Sequence, residues 1–218
     1  MNKETKMKKI LNFLQRSYGK EVDTMMEGKP DVFKLLITTI LSQRTKDANT
    51  EKSVNSLFSH VSSPEEILEL PDKKLQELIR SSGTFRQKSR NIKKLCKILV
   101  QDLNGRIPST REELMKLPGV GNKTADIVLS YGFGQPVVAV DVHVRVCSER
   151  LGLVRKNAEY DEIRKTLEKI TPEKERYLVN IGFVRFGQAI CLTRRPRCYI
   201  CPLVKICVYN KKNLSPSQ

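Results

Sequence analysis

Apolar residues recur along most of this chain three and four positions apart, the spacing that places them on one face of a helix. Residues 32–41 are apolar almost all round and follow Asp31, a residue type that caps helix starts, so they predict a helix in the centre of the core. Further helices are predicted at residues 1–20, 47–58, 64–68, 72–81, 87–103, 110–116, 123–133, 141–151, 158–170 and 172–189.

Helix-breaking residues punctuate this pattern, and strand-like alternation is nearly absent. Breaks fall at Gly83, at Gly105 and at Gly134, which is followed by Pro136. The run at residues 137–140 is the single strand candidate, and no partner strand is evident for it. The sequence therefore predicts an all-α protein that ends in a loose tail at residues 215–218.

The charge balance changes this picture by indicating a partner. With 40 Lys and Arg against 24 Asp and Glu, the formal net charge is +16, which favours nucleic acid first and an anionic membrane surface second. A solvated basic surface on an unrelated enzyme is the alternative. No apolar run is long enough for a transmembrane helix or a secretory signal, so we expect a protein that works inside the cell. The six cysteines are therefore not interpreted as disulfides.

A helix, a tight turn and a second helix are predicted around Gly119 and Gly121. Pro118 and Gly119 end the first helix, Gly121 is expected to allow a second sharp bend, and residue 123 opens the next helix. Backbone N–H groups at the start of a helix lack partners and lie at the positive end of its dipole. This turn is therefore a candidate anion site, and a phosphate is one such anion.

Two residues near this turn are candidates for chemistry. Lys123 lies in the first turn of the second helix, where the dipole disfavours the protonated amine, and a neutral lysine amine forms Schiff bases. Asp141 follows the apolar run 137–140 and could stabilise a sugar cation. The simpler alternatives are an exposed lysine near a helix end and an ordinary aspartate N-cap.

The segments LPGVGNKTADIVL (residues 117–129) and VDVH (residues 140–143) resemble the helix-hairpin-helix signature of the endonuclease III family of DNA glycosylases. The resemblance implies that Lys123 and Asp141 are catalytic. It also implies an all-α fold of two domains with the active site in the cleft between them. Residues 26–135 would form a helical barrel domain containing the hairpin, and residues 1–25 with 136–218 would form the second domain.

Four cysteines close to the C-terminal end have metal-ligand spacing. Cys191, Cys198, Cys201 and Cys207 are arranged as C-x6-C-x2-C-x5-C, and four thiolates can hold either zinc or an iron–sulfur cluster. Zinc sites more often show two C-x2-C pairs, which favours iron–sulfur. The spacing also resembles that of the endonuclease III family, which implies a [4Fe–4S] cluster. Four cysteine ligands leave no open site for a substrate, so we expect a structural role, and a role in redox sensing or charge transfer stays open.

Further residues are candidates for DNA contact. Three arginines between the first two cluster cysteines could bind phosphate, although a solvated charge run is the alternative. The resemblance also implies that residues 41–47 and 82–85 fill the gap left by a flipped nucleotide. There Arg44 stands where many members have a plugging Gln, and Thr84 stands where an aliphatic wedge is common, a role that Phe85 could take instead. The candidate contacts are Gln43, Arg44, Thr84, Phe85, Gly119, Gly121, Arg194, Arg195 and Arg197.

The resemblance implies a bifunctional base-excision repair enzyme. We expect it to remove oxidised pyrimidines, such as thymine glycol, from double-stranded DNA through a Lys123 Schiff base. β-Elimination would then nick the abasic strand. We expect a monomer that has no membrane partner and is cytoplasmic and nucleoid-associated if the source is a prokaryote. The alternatives are a mismatch-specific glycosylase, which acts through water and lacks the lysine, and a non-catalytic iron–sulfur DNA-binding protein.

Overall fold

A computed structural model describes residues 1–26, 28 and 31–215, so residues 216–218 of the tail predicted at residues 215–218 lie outside the described part. The described residues form helices and contain no β-strand, and the all-α prediction is confirmed. None of the described helices is long and apolar enough to cross a membrane. The α-helices are α1 (Lys3–Met26), α2 (Val32–Ser42), α3 (Asp47–Phe58), α4 (Pro64–Glu69), α5 (Asp72–Leu78), α6 (Phe85–Asp102), α7 (Arg111–Leu114), α8 (Asn122–Ile127), α9 (Val142–Arg150), α10 (Tyr160–Ile170) and α11 (Arg176–Ala189).

The chain divides into two compact units. One consists of Met1–Gly28 together with Gln135–Gln218, and the other of Lys29–Gly134. The division expected from the resemblance placed its boundaries after residues 25 and 135.

The core of the Lys29–Gly134 unit is built around α2. Its side chains Leu36, Ile37 and Leu41 are fully buried, as the apolar pattern predicted. The helix begins at its capping residue, because Asp31 Oδ1 accepts a hydrogen bond from the N–H of Lys34 at 2.9 Å. The amphipathic α6 buries its apolar face in the same unit, with Ile92, Leu95, Cys96 and Leu99 inside.

Several predicted helices are shorter or tighter than the pattern suggested. The helix predicted at residues 72–81 ends at Leu78 and is followed by a 3₁₀ turn, Arg80–Ser82. The helix predicted at residues 123–133 changes from α to a π-helical turn at Val128–Gly132. Gly132 lies so close to Val32 of α2 that an added Cβ would come within 3.1 Å of its Cγ1, so α2 approaches the backbone directly there.

In the other unit, α11 packs against both α1 and α9. Leu14 of α1 lies against Gly182, where an added Cβ would meet its Cδ1 at 3.0 Å. His143 of α9 lies against Gly187, where an added Cβ would meet its Nδ1 at 2.4 Å. The two glycines therefore let both neighbouring helices approach the backbone of α11.

The strand candidate at residues 137–140 has no regular secondary structure and is not part of a sheet. Its buried backbone groups are satisfied by side chains of α10 and α11 instead of by a second strand. Val138 N donates to Glu168 Oε1 (3.1 Å), Val140 N donates to Tyr160 Oη (3.1 Å), and Asn180 Nδ2 donates to Ala139 O (2.8 Å). The segment therefore enters α9 at a fixed position without any sheet.

Candidate functional site

The hairpin joins α7 to α8 through a turn that requires glycine at position 119. The N–H of Val120 donates to the carbonyl of Leu117 at 3.1 Å, with Pro118 and Gly119 as the central turn residues. Gly119 has φ 85°, a conformation that side chains disfavour. An added Cβ would also lie 3.3 Å from Cβ of Asn91 on α6. Backbone conformation and close packing therefore both select glycine here.

Gly121 does not make the second sharp bend that the sequence suggested. It is the N-cap of α8 in extended conformation, with φ −109° and ψ −178°, and a Cβ there would meet nothing within 4 Å. No side chain caps the helix at this position. The backbone N–H groups at the start of α8 are therefore open to an external acceptor, and Gly121 leaves the space in front of them clear.

A buried ion pair, which sequence reasoning missed, fastens the two helices of the hairpin. Nε of Arg111 donates to Oδ1 of Asp126 at 3.1 Å, and Nη2 of the same arginine donates to Oδ1 of Asn122 at 3.0 Å. The Asp126 side chain has no exposed surface. The one signal in the sequence was an aspartate inside the apolar stretch of α8, where a charge needs a partner.

Gln43, a candidate DNA contact, holds the hairpin turn. Its Nε2 donates to the carbonyl of Gly119 at 2.8 Å and to Oγ1 of Thr124 at 3.2 Å. The end of α2 is thereby connected to both sides of the turn. Sequence spacing gave no indication of this link, because 76 residues separate Gln43 from Gly119.

Arg44 and Thr84, the candidate plug and wedge, share an uncommon backbone conformation. Both have positive φ, 52° for Arg44 and 39° for Thr84, and both are exposed. The next residue, Phe85, begins α6 and is half-buried, with the guanidinium of Arg86 5.6 Å from the centre of its ring. Between the two loops lies the buried amine of Lys88, which sequence reasoning also missed.

Lys123 lies in the first turn of α8, directly after the hairpin. Its side chain is exposed, and its amine makes no hydrogen bond or ion pair with any residue that the structure describes. A lysine amine with no protein partner is free to react with a ligand bound in front of the hairpin. Lys123 belongs to the Lys29–Gly134 unit, whereas Asp141 belongs to the other unit.

Asp141 is the N-cap of α9. Its Oδ1 accepts a hydrogen bond from the N–H of Val144 at 2.8 Å, so the capping role considered for it is real. Its second carboxylate oxygen has no hydrogen-bond partner among the described residues, and the side chain is half-buried. The cap fixes the direction of the carboxylate while one oxygen stays available to a ligand.

The four candidate metal ligands line one cavity of about 370 Å³, a volume that includes its solvent-open part. Within the described ranges, no group of three or more His, Cys, Asp or Glu side chains is placed to hold a single metal ion. A zinc ion needs all its thiolates about 2.3 Å from one point. The four cysteines are free thiols, and thiolates of this number can hold either zinc or an iron–sulfur cluster.

Protonation of these thiols follows their surroundings. Burial raises the pKa of Cys201 to about 11 and also raises the pKa of Cys207. Hydrogen bonds from Cys147 and from Arg150 lower the pKa of Cys191 to about 6. Burial therefore disfavours the thiolate forms of Cys201 and Cys207, and a metal bound in the cavity would supply positive charge that favours them.

Arg150 of α9 organises the loop that begins at Cys191. It donates to the carbonyls of Cys191 (3.2 Å), Leu192 (2.7 Å) and Thr193 (2.9 Å), and to the Cys191 sulfur at 3.4 Å. Its guanidinium also lies over the ring of Tyr209 at 4.6 Å. This residue was not among the sequence-based candidates, because nothing local links residue 150 to the cysteine segment.

The three candidate arginines of this loop are exposed: Arg194, Arg195 and Arg197. Arg195 has φ 49°, and Arg197 Nη1 donates to the carbonyl of Ala189 at 3.4 Å. The loop therefore presents positive charge to solvent from a backbone held by Arg150. The other two cysteines, Cys96 and Cys147, are fully buried, as expected of small hydrophobic side chains.

A family profile described as HhH-GPD superfamily base excision DNA repair protein matches residues 37–173. The chain is 43% identical over 182 residues to the Endonuclease III of Thermotoga maritima, covering 84% of this chain and 85% of that protein. It is 35% identical over 181 residues to the Endonuclease III of Escherichia coli K12, covering 83% and 85% respectively.

Solved structures of similar chains have the same architecture. A trapped Endonuclease III–DNA covalent intermediate, in its estranged-adenine complex, matches with a TM-score of 0.86 and 37% identity, covering 95% of this chain and 97% of that one. A thermostable thymine-DNA glycosylase matches with a TM-score of 0.77 and 26% identity, covering 91% and 97%.

Proposed function

Because this chain belongs to the HhH-GPD superfamily of base excision DNA repair proteins, in its endonuclease III family, we propose that Lys123 and Asp141 carry out its reactions on DNA. The enzyme is a DNA glycosylase that is also an abasic-site lyase, and its partner is damaged double-stranded DNA. The observation that carries the residue assignment is the exposed, unpartnered amine of Lys123 at the start of α8.

The amine of Lys123 is the nucleophile. It attacks C1′ of the damaged nucleotide, the bond from C1′ to the base breaks, and the departing base takes the electron pair and a proton. The sugar ring then opens to a Schiff base between C1′ and the lysine nitrogen. Loss of the C2′ proton and departure of the 3′ phosphate cut the strand on the 3′ side of the lesion. A relative trapped on DNA as a covalent intermediate supports this class of chemistry.

Asp141 acts beside the sugar through the carboxylate oxygen that does not cap α9. As a carboxylate it stabilises the positive charge that develops on the sugar as the base leaves. It also accepts the proton that Lys123 must lose before attack. The cap to Val144 holds the carboxylate in one orientation, which favours both tasks.

The hairpin backbone binds a DNA phosphate next to the reacting nucleotide. The uncapped start of α8 offers N–H donors, and the open space at Gly121 lets a phosphate come close to them. Arg194, Arg195 and Arg197 are proposed to contact the DNA backbone elsewhere, with the sequence-independent affinity typical of arginine–phosphate contacts.

A [4Fe–4S] cluster would be held by Cys191, Cys198, Cys201 and Cys207. When bound, it supplies metal–thiolate bonds that fasten a loop too short to have a core of its own. Four cysteine ligands leave no position for a substrate, so its role is structural. Arg150 fixes the same loop from the side of α9 and thereby orients its arginines.

Oxidised pyrimidines, such as thymine glycol, are the proposed substrates. Arg44 and Thr84, with Phe85, are proposed to fill the gap that a flipped nucleotide leaves, because both loop tips are exposed in the unit that carries Lys123. Since its substrate is DNA, we infer a cytoplasmic, nucleoid-associated protein if the source is a prokaryote.

Borohydride trapping tests the assignment of the lysine. Reduction of the Schiff base should give a stable protein–DNA adduct with a duplex carrying an oxidised pyrimidine. Lys123→Gln should give no adduct, whereas Lys116→Gln, which removes the same charge from an exposed position of the hairpin, should still be trapped. Trapping of Lys123→Gln at the wild-type level would show that another amine is the nucleophile.

A further inference from the structure

We propose that Lys88 is a positioning residue for base flipping, because its buried amine fixes the two loops whose tips are Arg44 and Thr84. Neither loop carries the reacting amine, so this role is separate from the chemistry. The inference rests on the proposed function, in which these two tips enter the DNA duplex.

The amine of Lys88 joins segments that are far apart in sequence. Its side chain is 5% exposed. Four oxygens lie within hydrogen-bond distance of Nζ: the carbonyls of Leu41 (2.7 Å), Gln43 (2.8 Å) and Ser82 (2.7 Å), and Oγ1 of Thr45 (2.8 Å). Residues 41–45 of the loop that carries Arg44 supply three of them, and Ser82 of the loop that carries Thr84 supplies one. A single amine therefore holds both loops.

Both loop tips need such support, because each has an unfavourable backbone conformation. Arg44 directly follows the Gln43 carbonyl and has φ 52°, and Thr84 lies two residues after the Ser82 carbonyl and has φ 39°. Few non-glycine residues adopt positive φ, and for a β-branched residue such as Thr84 it is a clear outlier. Strained conformations of this kind persist only where their surroundings fix them, and they cluster at functional sites.

The hydroxyl of Thr45 provides a second link between the same two loops. Besides accepting from Lys88, it donates to the carbonyl of Ser82 across the gap and lies 3.1 Å from the carbonyl of Gln43, two residues earlier. All four of these partners of the Lys88 amine are neutral oxygens, while the charged neighbours Arg44, Lys46 and Asp47 are exposed to solvent. The amine therefore acts through hydrogen bonds to the loops.

Lys93, on the same helix, provides a matched control. Its amine donates to the carbonyls of Leu68 (2.8 Å) and Leu70, and lies 3.9 Å from Asp72. It thus joins α4 to α5 by the same kind of amine-to-carbonyl contact, but it touches neither Arg44 nor Thr84 nor their loops. Replacing it disturbs a partly buried contact of the same kind and leaves the two tips in place.

The experiment compares Lys88→Met and Lys93→Met with the wild-type holoenzyme under single-turnover conditions, below the unfolding temperature of each. Base release is measured on one lesion in two settings, paired in a duplex and unpaired in a bubble. A 2-aminopurine next to the lesion reports unstacking. Lys88→Met should release the base from the paired lesion about tenfold to about a hundredfold more slowly than the wild type. Misplacement of groups far from the reacting atoms has effects of that size. On the unpaired lesion its rate should approach that of the wild type.

The early rise of 2-aminopurine fluorescence should also be lost in Lys88→Met and kept in Lys93→Met. If Lys88→Met does not fold, Thr45→Val removes the second link at nearly constant side-chain volume. This variant should slow base release from the paired lesion and leave base release from the unpaired lesion nearly unchanged. The proposal would be overturned if Lys88→Met released the base equally slowly from the paired and the unpaired lesion. It would also be overturned if Lys93→Met slowed base release from the paired lesion as selectively as Lys88→Met does. Wild-type inactivity on both lesions would instead refute the proposed function.

Discussion

Nε of Arg111 lies 3.1 Å from Oδ1 of Asp126, and this ion pair joins α7 to α8 with the aspartate fully buried. Arg111→Ala should lower the free energy of unfolding by about 3 to 5 kcal/mol, because it removes the positive charge that pairs with a buried carboxylate. Urea unfolding measures the loss. The exposed pair of Arg155 and Glu162, at 2.7 Å, is the control, and Arg155→Ala should lower stability by about 1 kcal/mol or less. Similar losses in the two variants would contradict a special role for the buried pair.

The two hairpin glycines should differ in what they contribute. Gly119→Ala should lower stability by about 1 to 2 kcal/mol, because alanine is strained at positive φ, and Asn91 crowds the new Cβ. Gly121→Ser should keep stability within about 0.5 kcal/mol, since serine is a good N-cap in extended backbone. Its side chain would nevertheless stand where a phosphate approaches, so DNA affinity should fall.

Unfolding curves and fluorescence anisotropy with a lesion-containing duplex separate these two effects. Full DNA affinity in a folded Gly121→Ser variant would show that the start of α8 does not bind phosphate.

Asp141→Asn distinguishes the charge of this residue from its capping role. Asparagine caps helices as well as aspartate does, so the free energy of unfolding should change little. Base release should slow by about a hundredfold, the size typical of a lost general base. Single-turnover kinetics, thermal unfolding and DNA binding are measured together. If Asp141→Asn releases the base slowly and is also strongly destabilised, Asp141 acts as a helix cap alone.

The protonation of Lys88 should make stability depend on pH. Burial lowers its pKa in the folded protein to about 8, whereas an unfolded lysine titrates near about 10.4. Between these values the unfolded chain binds a proton that the folded chain does not, so the free energy of unfolding rises with pH. The contribution of the neutral Lys88 amine to stability is complete above about pH 10.4 and is lost as the pH falls to about 8.

The measurement is the difference in free energy of unfolding between the wild type and Lys88→Met across this range. The difference should shift in favour of the wild type as the pH rises. A difference that stays constant with pH would contradict burial of a titrating amine at this position.

Local pattern was enough to predict much of this molecule. The buried α2, its Asp31 cap and the all-α class follow from helical spacing and capping chemistry, which act over a few residues. The hairpin could be predicted for the same reason, since Pro118 and Gly119 stop a helix wherever they occur. Cysteine spacing indicated a common site, and all four cysteines line one cavity.

Contacts between distant residues could not be read from the sequence. Nothing near Lys88 indicates that its amine meets carbonyls of residues 41 and 43, or that Arg150 fixes a loop that begins 41 residues later. The segment 137–140 has the composition of a strand, yet Glu168, Tyr160 and Asn180 satisfy its backbone in place of a sheet. Gly121 illustrates the opposite error, because a glycine suggested a bend where the backbone is extended.

Mass spectrometry of the borohydride-trapped adduct tests the central claim most directly. The wild-type enzyme is reduced on a duplex carrying thymine glycol, digested with a protease and with nuclease, and mapped for the peptide that retains the sugar remnant. The remnant should lie on Lys123, in the peptide that contains the start of α8. A remnant on any other lysine, or on the amino group of Met1, would contradict the assignment of Lys123 as the nucleophile.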